Sequence, residues 1–511
     1  MPAGGSLVVR NAHILTMDER QPTAQALAVV NGLIAAVGSE ADVGPYAQVA
    51  GEVLDAGGAT VLPGFIDTHA HFTLTGLGML AVDLSGLDSI DRALARIAAE
   101  AARRPAGWLV VALNYRPELV AEKRFPSLEE LDRAAGGRPV YVMESGGHWS
   151  AINQAALMLL ELPPDAAGIE AGEDGRLAGP LSGEANTVAF TTLWERYAAQ
   201  IGLPRAFDQA AAEAAAGGIT TLHAMEDLEH VRALLDYRAQ LPVRIVPYTQ
   251  TKDVAAVKAL GLRQIGGCGQ VMVDGDFGPH TAALLEPYAD GSETSGMLYY
   301  AGEELAAYVV AAHRAGLQVA LHCIGSGAIE QLLNAYEAAL SRDPRPDHRH
   351  RIEHFELPAP GQAERARRLG VALAVQPSFN HFWPHHREYP DTLGWERAQR
   401  LDPVRSLVAA GLPVALGSDS PVTPLRPMLW VHSAVNHSNE VERVSVETAL
   451  RLATASGGWL GFEEDQVGSL SVGKRGDLVF LAENPLSVDP QKLKEIKVLR
   501  TVFGGRVVYE A

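Results

Sequence analysis

Strand-like runs alternate with Ala-, Leu- and Glu-rich helical stretches between residues 61 and 467, which predicts an α/β fold, a parallel (β/α)8 barrel. Three observations carry this expectation. Runs at 61–67, 218–224, 243–249, 269–274, 318–323, 350–355, 371–376 and 413–418 give a barrel's full complement of strands. The flanks differ in texture: Leu7–Leu15, Ala26–Val37 and Glu52–Leu54 are short β-like runs broken by Asn31-Gly32 and Ala56-Gly57-Gly58, and residues 468–511 repeat the pattern, so both ends read as hairpins. Several barrel runs also lead directly into a residue able to bind metal, and the carboxyl ends of the strands are where a barrel gathers its chemistry.

The first barrel run ends in Pro63-Gly64-Phe65-Ile66-Asp67-Thr68-His69-Ala70-His71-Phe72. Side chains at i and i+2 share one face of a strand, so the imidazoles of His69 and His71 can reach one cation. The stretch from about 85 to 215 is too long for a single crossover and holds its own runs, Trp108–Leu113 and Pro139–Met143. It predicts helical connection plus an inserted subdomain over the barrel mouth, where loops build specificity. The fourth run contains Gln270-Val271-Met272-Val273-Asp274-Gly275. The fifth leads into His322, the sixth into His354 and the eighth into Asp419. After the seventh comes "QPSFNHFWPHHREYP", whose Phe379, His381, Phe382, Trp383, His385 and His386 can line an apolar pocket or form the loop's own small core.

Composition narrows the function. A 54.4 kDa chain with 47% apolar residues can bury one large core and a smaller satellite. A formal net charge of −19, with no Lys/Arg cluster, disfavours nucleic acid and anionic membrane and leaves a small molecule as the expected partner. Cys268 and Cys323 fall in different strand-like segments and are expected to be buried free thiols. "MPAGGSLVVRNAHIL" lacks the features of a secretory signal, so a cytoplasmic location is expected.

The order His-x-His, His, His, Asp, each after a short β-like segment, resembles the amidohydrolase superfamily. The words "HCIGSGAIEQLLNAYE", "HRIEHFELP", "GSDSPVTPLRP" and "SLSVGKRGDLVFLAENP" are similar to the branch holding the YtcJ-type hydrolases and the N-substituted formamide deformylases. The resemblance spans nearly the whole chain. It implies that residues 1–60 and 468–511 pair into one small β-sandwich beside a barrel of residues 61–467, and that the protein is a homodimer.

Zinc favours imidazole and carboxylate ligands, and a catalytic site keeps one position open. His69, His71, His322 and Asp419 supply such a set, while His354 either binds a second metal or orients the attacking water. Many relatives carry a lysine four residues before an Asp-Gly pair; carbamylated, it bridges two metals. Here Gln270 stands at that position, and an amide can be neither carbamylated nor act as an anionic bridge. Of the lysines between the motifs, Lys123, Lys252 and Lys258, only Lys252 follows a barrel run closely, and it reads more simply as a solvated loop residue. One zinc ion per chain is therefore preferred over two. On this reading the ion makes hydroxide available, Asp419 shuttles the proton, and His354 stabilises the developing oxyanion.

In "ESGGHWSAIN" the resemblance implies that His148 faces the substrate, with Trp149 beside it; Phe379 and Trp383 are the other expected substrate contacts. His280, in "VDGDFGPHTAAL", stands where relatives have arginine. The expected activity is metal-dependent hydrolysis of a C–N bond, in an amide or N-substituted formamide with a hydrophobic substituent. A deaminase of a ring amidine is the alternative, weakened because no glutamate follows the fifth run before Glu330. A non-catalytic barrel is a third reading, and five ligand-type residues in order argue against it.

Overall fold

The computed structural model describes residues 5–48, 50–147, 149–160, 162, 166–169 and 179–511. The chain forms two compact units, one of residues up to Phe72 together with Ala211–Ala511, the other of Thr73–Ala210.

The larger unit holds an eight-stranded parallel sheet in the order β1 (Phe65–Ala70), β2 (Ile219–Glu226), β3 (Arg244–Thr249), β4 (Gln264–Gly267), β5 (Gln318–Cys323), β6 (Arg351–His354), β7 (Ala372–Val375) and β8 (Val414–Leu416). Every residue of β1, β2 and β4 to β8 is buried, as expected of parallel strands covered on both faces. The seam between β8 and β1 brings the sheet round on itself. Asp419 N–H donates to His69 O at 2.7 Å, Thr68 Oγ1 donates to Leu416 O at 2.8 Å, and Ala70 pairs with Ser420. Buried Asp67 reinforces it by accepting from Ser418 N–H (3.0 Å) and Ser418 Oγ (2.6 Å).

The predicted strand at 269–274 is displaced. β4 is Gln264–Gly267, paired with β5 from Gln264↔Gln318 to Gly267↔Leu321, and Gly269–Val271 is a 3-10 turn. Gln-Ile-Gly-Gly carries almost no β propensity, whereas Val271-Met272-Val273 carries much, so local preference pointed to the wrong segment. Packing accounts for the glycines: Gly266 has φ +108°, and a Cβ there would lie 1.9 Å from Ala320 O of β5. The first predicted run also divides. Thr60–Pro63 joins another sheet and Phe65–Ala70 alone forms β1.

That other sheet mixes both chain ends, in the order Arg506–Glu510, Val498–Phe503, Leu478–Leu481, Thr60–Pro63, His13–Leu15 and Thr23–Ala24. A second sheet runs Leu33–Gly38, Ala26–Val30, Leu7–Arg10 and Glu52–Asp55. Leu7, Val9, Leu27 and Val29 share one apolar core with Val61, Leu478, Phe480 and Val502. Removing this apolar surface from water holds the two sheets together.

The unit Thr73–Ala210 has its own four-stranded sheet, ordered Ser150–Ile152, Val140–Glu144, Val110–Tyr115 and Val82–Asp83. The helix Ile90–Ala102 buries Ile90, Ala93, Ile97 and Ala101, a 3- and 4-residue spacing that places them on one stripe. Ser127 and Glu130 cap the helix Leu128–Ala135 reciprocally.

Candidate metal centre

Donor groups from β1, β4, β5, β6 and β8 converge at the carboxyl ends of the strands. His69 lies in β1 and His71 just beyond it. Cys268 follows β4, His322 lies in β5, His354 ends β6, and Asp419 follows β8. Two of these residues leave the strand direction through left-handed backbone, His354 at φ +72° and Asp419 at φ +56°, a conformation that costs free energy and is kept where the surroundings impose it.

The distances describe one cluster. His69 Nε2 lies 3.3 Å from Cys268 Sγ, and Cys268 Sγ lies 3.7 Å from His322 Nδ1 and 3.6 Å from His354 Nε2. Asp419 Oδ1 lies 3.2 Å from both His69 Nε2 and His71 Nε2. Spacings of 3.2–3.7 Å would let neighbouring donors share a divalent ion at roughly 2.0–2.3 Å. The donors group as His69, His71, Cys268; as Cys268, His322, His354; and as His69, His354, Asp419. Although Asp419 Oδ1 is close to two rings, it is buried without a hydrogen-bond partner among the described residues, as an oxygen reserved for a cation would be.

Charge points the same way. Burial opposes a charge on His71 and His322, but the Asp419 carboxylate and Cys268 thiolate beside His71, and Cys268 and Asp274 beside His322, outweigh it and lift them to about 10 and about 9. Burial likewise opposes a Cys268 thiolate, yet His69, His322 and His354 hold it well below its ordinary value. The cluster therefore demands positive charge, and a divalent ion supplies what protons otherwise would. The donor set fits zinc, for which thiolate and imidazole are both suited.

Outward-facing ring nitrogens are tied down. His69 Nδ1 meets Glu353 Oε2 at 2.6 Å, His354 Nδ1 meets Gln376 Oε1 at 2.8 Å, and His322 Nε2 meets Gly275 O at 3.2 Å. Each acceptor fixes which nitrogen carries the proton and leaves the other free to bind a cation. Asp274 lies 3.6 Å from His322, and its carboxylate accepts the backbone N–H groups of Ala283, Ile324 and Gly325; burial nevertheless raises it to about 6.

The sequence-expected residues fare differently. His69, His71, His322, His354 and Asp419 come together. Gln270 does not: it is exposed on the 3-10 turn after β4, so the reasoning that placed it at the bridging position fails with the strand assignment behind it. Cys268, expected only as a buried thiol, stands at the centre of the cluster. Lys252 is on the surface, paired with Glu304 at 2.9 Å. His280 pairs with Asp290 and lies tilted against the Tyr288 ring. Phe379 stacks on His354 with ring centroids 6.1 Å apart, and Trp383 meets Phe379 edge-on at 5.9 Å. His385 instead turns inward to Asp402, so part of the aromatic loop forms its own core. Trp149 belongs to the unit Thr73–Ala210, where it is exposed; His148 lies outside the described residues. Sequence reasoning missed Cys268, Glu353 and Gln376. Cys268 had a signal: from residue 254 to 273 it is the sole His, Cys, Asp or Glu.

Comparison with known proteins gives a consistent picture. The profile of the amidohydrolase family matches residues 52–509. An N-substituted formamide deformylase of Arthrobacter pascens is 29% identical over 99% of this chain and 98% of its own length. A protein of Bacillus subtilis (strain 168) designated YtcJ is 28% identical over 97% of this chain and 98% of its own. Among solved structures, an uncharacterized metal-dependent hydrolase from Pyrococcus horikoshii OT3 superposes with TM-score 0.81 at 24% identity, covering 95% of this chain and 99% of that one. Its counterpart from Pyrococcus furiosus gives 0.79 at 25% identity, covering 94% and 100%. No helix among the described residues is long and apolar enough to cross a membrane.

Proposed function

The chain belongs to the amidohydrolase family of metal-dependent hydrolases, and on that premise we propose that it cleaves a C–N bond, in an amide or N-substituted formamide bearing a hydrophobic substituent. The convergence of His69, His71, Cys268, His322, His354 and Asp419 at the strand ends carries the reading. The similarity to a formamide deformylase supports the bond type.

We propose that these donors would hold two cations, with zinc the best match to them, in place of the single ion expected from the sequence. Support comes from the two donor triads whose shared member is Cys268, a thiolate that would bring negative charge to both. A divalent ion held by these residues would polarise a carbonyl oxygen and make hydroxide available near neutral pH.

The chain's own groups do the rest. Asp419, whose Oδ1 is buried with no hydrogen-bond partner among the described residues, takes the proton of the attacking water as general base and passes it to the departing amine as general acid. His354 is assigned as a ligand instead of a donor to the carbonyl, because Nδ1 is committed to Gln376 and Nε2 faces Cys268. Phe379, against His354, and the partly exposed Trp383 offer an aromatic surface to the substituent. The deaminase alternative loses further support because Glu330 is engaged by Arg365 at 2.8 Å.

The test is elemental analysis of the purified chain, followed by a screen for amine release from N-acyl and N-formyl amines. The expected result is about two divalent ions per chain, as in two-metal hydrolases, with amine release that chelation abolishes and zinc restores. Metal-loaded chain that hydrolyses esters and releases no amine from any of the panel overturns the C–N reading.

A further inference from the structure

Taking the metal centre just proposed as its basis, we infer that Glu353, backed by Arg351, is a positioning residue that aims His69 at the cations. Arg351 and Glu353 are two apart in β6 and so share a face. Both side chains are fully buried. Barrel interiors are ordinarily packed with branched apolar residues, and a buried ion pair gives no more stability than an apolar pair of like volume. Stability does not account for the pair.

Its contacts do. Glu353 Oε2 lies 2.6 Å from His69 Nδ1 and accepts from Arg351 Nη2 at 2.9 Å, while Arg351 Nε bonds the other carboxylate oxygen. Arg351 is itself anchored by three other elements of the barrel. Nη2 donates to Thr68 O at 2.7 Å, Nη1 meets His223 Nδ1 at 3.0 Å, and the guanidinium lies 4.0 Å from the centre of the Tyr248 ring. A rigid chain of contacts thus runs from the barrel wall through Arg351 and Glu353 to one imidazole.

His69 is the ring that this would serve best. It belongs to two of the donor groups, one with His71 and Cys268 and one with His354 and Asp419. His354 and His322 hydrogen-bond neutral oxygens, those of Gln376 and Gly275, with the Asp274 carboxylate 3.6 Å from His322, and His69 alone among these three hydrogen-bonds a carboxylate directly. A carboxylate acceptor fixes the proton on Nδ1 and makes Nε2 a stronger donor to a cation. Arg351 balances the charge that Glu353 brings into the barrel.

The test compares Glu353→Gln, Glu353→Asp and the double variant Arg351→Met/Glu353→Leu with the native chain. Each is assayed for unfolding of the metal-free protein, zinc affinity by chelator competition, and the absorption of the cobalt(II)-loaded form. Glu353→Gln leaves Arg351 buried and unpaired and is expected to unfold at lower temperature. The double variant removes both charges, so it should fold, yet lose about 10- to 100-fold in zinc affinity and show a shifted cobalt spectrum. Glu353→Asp keeps the charge but withdraws the carboxylate by one methylene, and should shift the spectrum in the same sense. A folded double variant with native zinc affinity and spectrum overturns the inference. So does failure of all three variants to fold, which would make the pair a folding element only. If the native chain takes up no metal, the metal centre itself is refuted, an outcome distinct from both.

Discussion

Cys268→Ala probes the proposed centre most directly, because Cys268 Sγ lies within 3.7 Å of the ring nitrogens of His69, His322 and His354 and belongs to both donor triads. Metal binding by the four ligands of a structural zinc site is worth about 10–16 kcal/mol, so one ligand in four carries roughly 2.5–4 kcal/mol. At about 1.4 kcal/mol per tenfold, each ion should be held some 10²- to 10³-fold less tightly. The cost to the fold is small by comparison, since Cys268 is a compact buried side chain and its loss removes one sulfur atom. Chelator competition with elemental analysis measures the affinity and stoichiometry. Cobalt substitution adds an independent readout, because a thiolate bound to cobalt absorbs in the near ultraviolet and an alanine cannot. A variant that keeps the native metal content, affinity and cobalt spectrum would refute the shared-thiolate assignment, whatever its activity.

Two further outcomes are expected. Asp419→Asn should remain folded but turn over a verified substrate at least about 10²-fold more slowly, the usual consequence of losing a general base; steady-state kinetics measures it, and near-native turnover contradicts the role. His437 is fully buried, and its burial, with the His385 ring nearby, holds it down to about 4 against an ordinary value near 6.5. Between those values the unfolded chain takes up a proton that the folded chain refuses, so stability should fall as the pH drops below about 6.5, by roughly 2 kcal/mol at pH 5. Urea midpoints of the native chain and of His437→Gln measured at pH 7 and pH 5 test this: the variant should lose less, and parallel losses would remove His437 from the account.

The barrel and most of the donor set were legible in the sequence because strand ends are marked by composition. His322 and Asp419 each follow an apolar run long enough to be recognised, and the two-residue spacing of His69 and His71 places both on one face. β4 was illegible for a local reason. A Cβ at Gly266 would lie 1.9 Å from the backbone of β5 and one at Gly267 2.7 Å from the Met225 side chain, tertiary demands that leave no propensity signal, and losing the strand meant losing Cys268 with it. Glu353 was hidden differently: the alternation of Arg351 and Glu353 suggests a strand with one polar face, and sequence pattern cannot tell that this face points into the barrel. The acceptor of His354, Gln376, depends on β6 and β7 being neighbours, which pairing of Arg351 with Ala372 establishes and sequence spacing does not.

The mixed sheet built from both chain ends has a bearing on how the protein is made. Thr60–Pro63 pairs with Leu478–Leu481, and at ribosomal speeds of ~5–20 residues per second these partners emerge about 20–80 s apart. During that interval the Thr60–Pro63 strand offers an unpaired edge, and the apolar side chains Val61, Leu7 and Val29 await Leu478, Phe480 and Val502. The donor set is also completed late, since Asp419 leaves the ribosome long after His69. A nascent chain therefore has no full ligand set until its last fifth appears and no closed mixed sheet until its last tenth, so metal cannot hold the early chain together while that edge stays open.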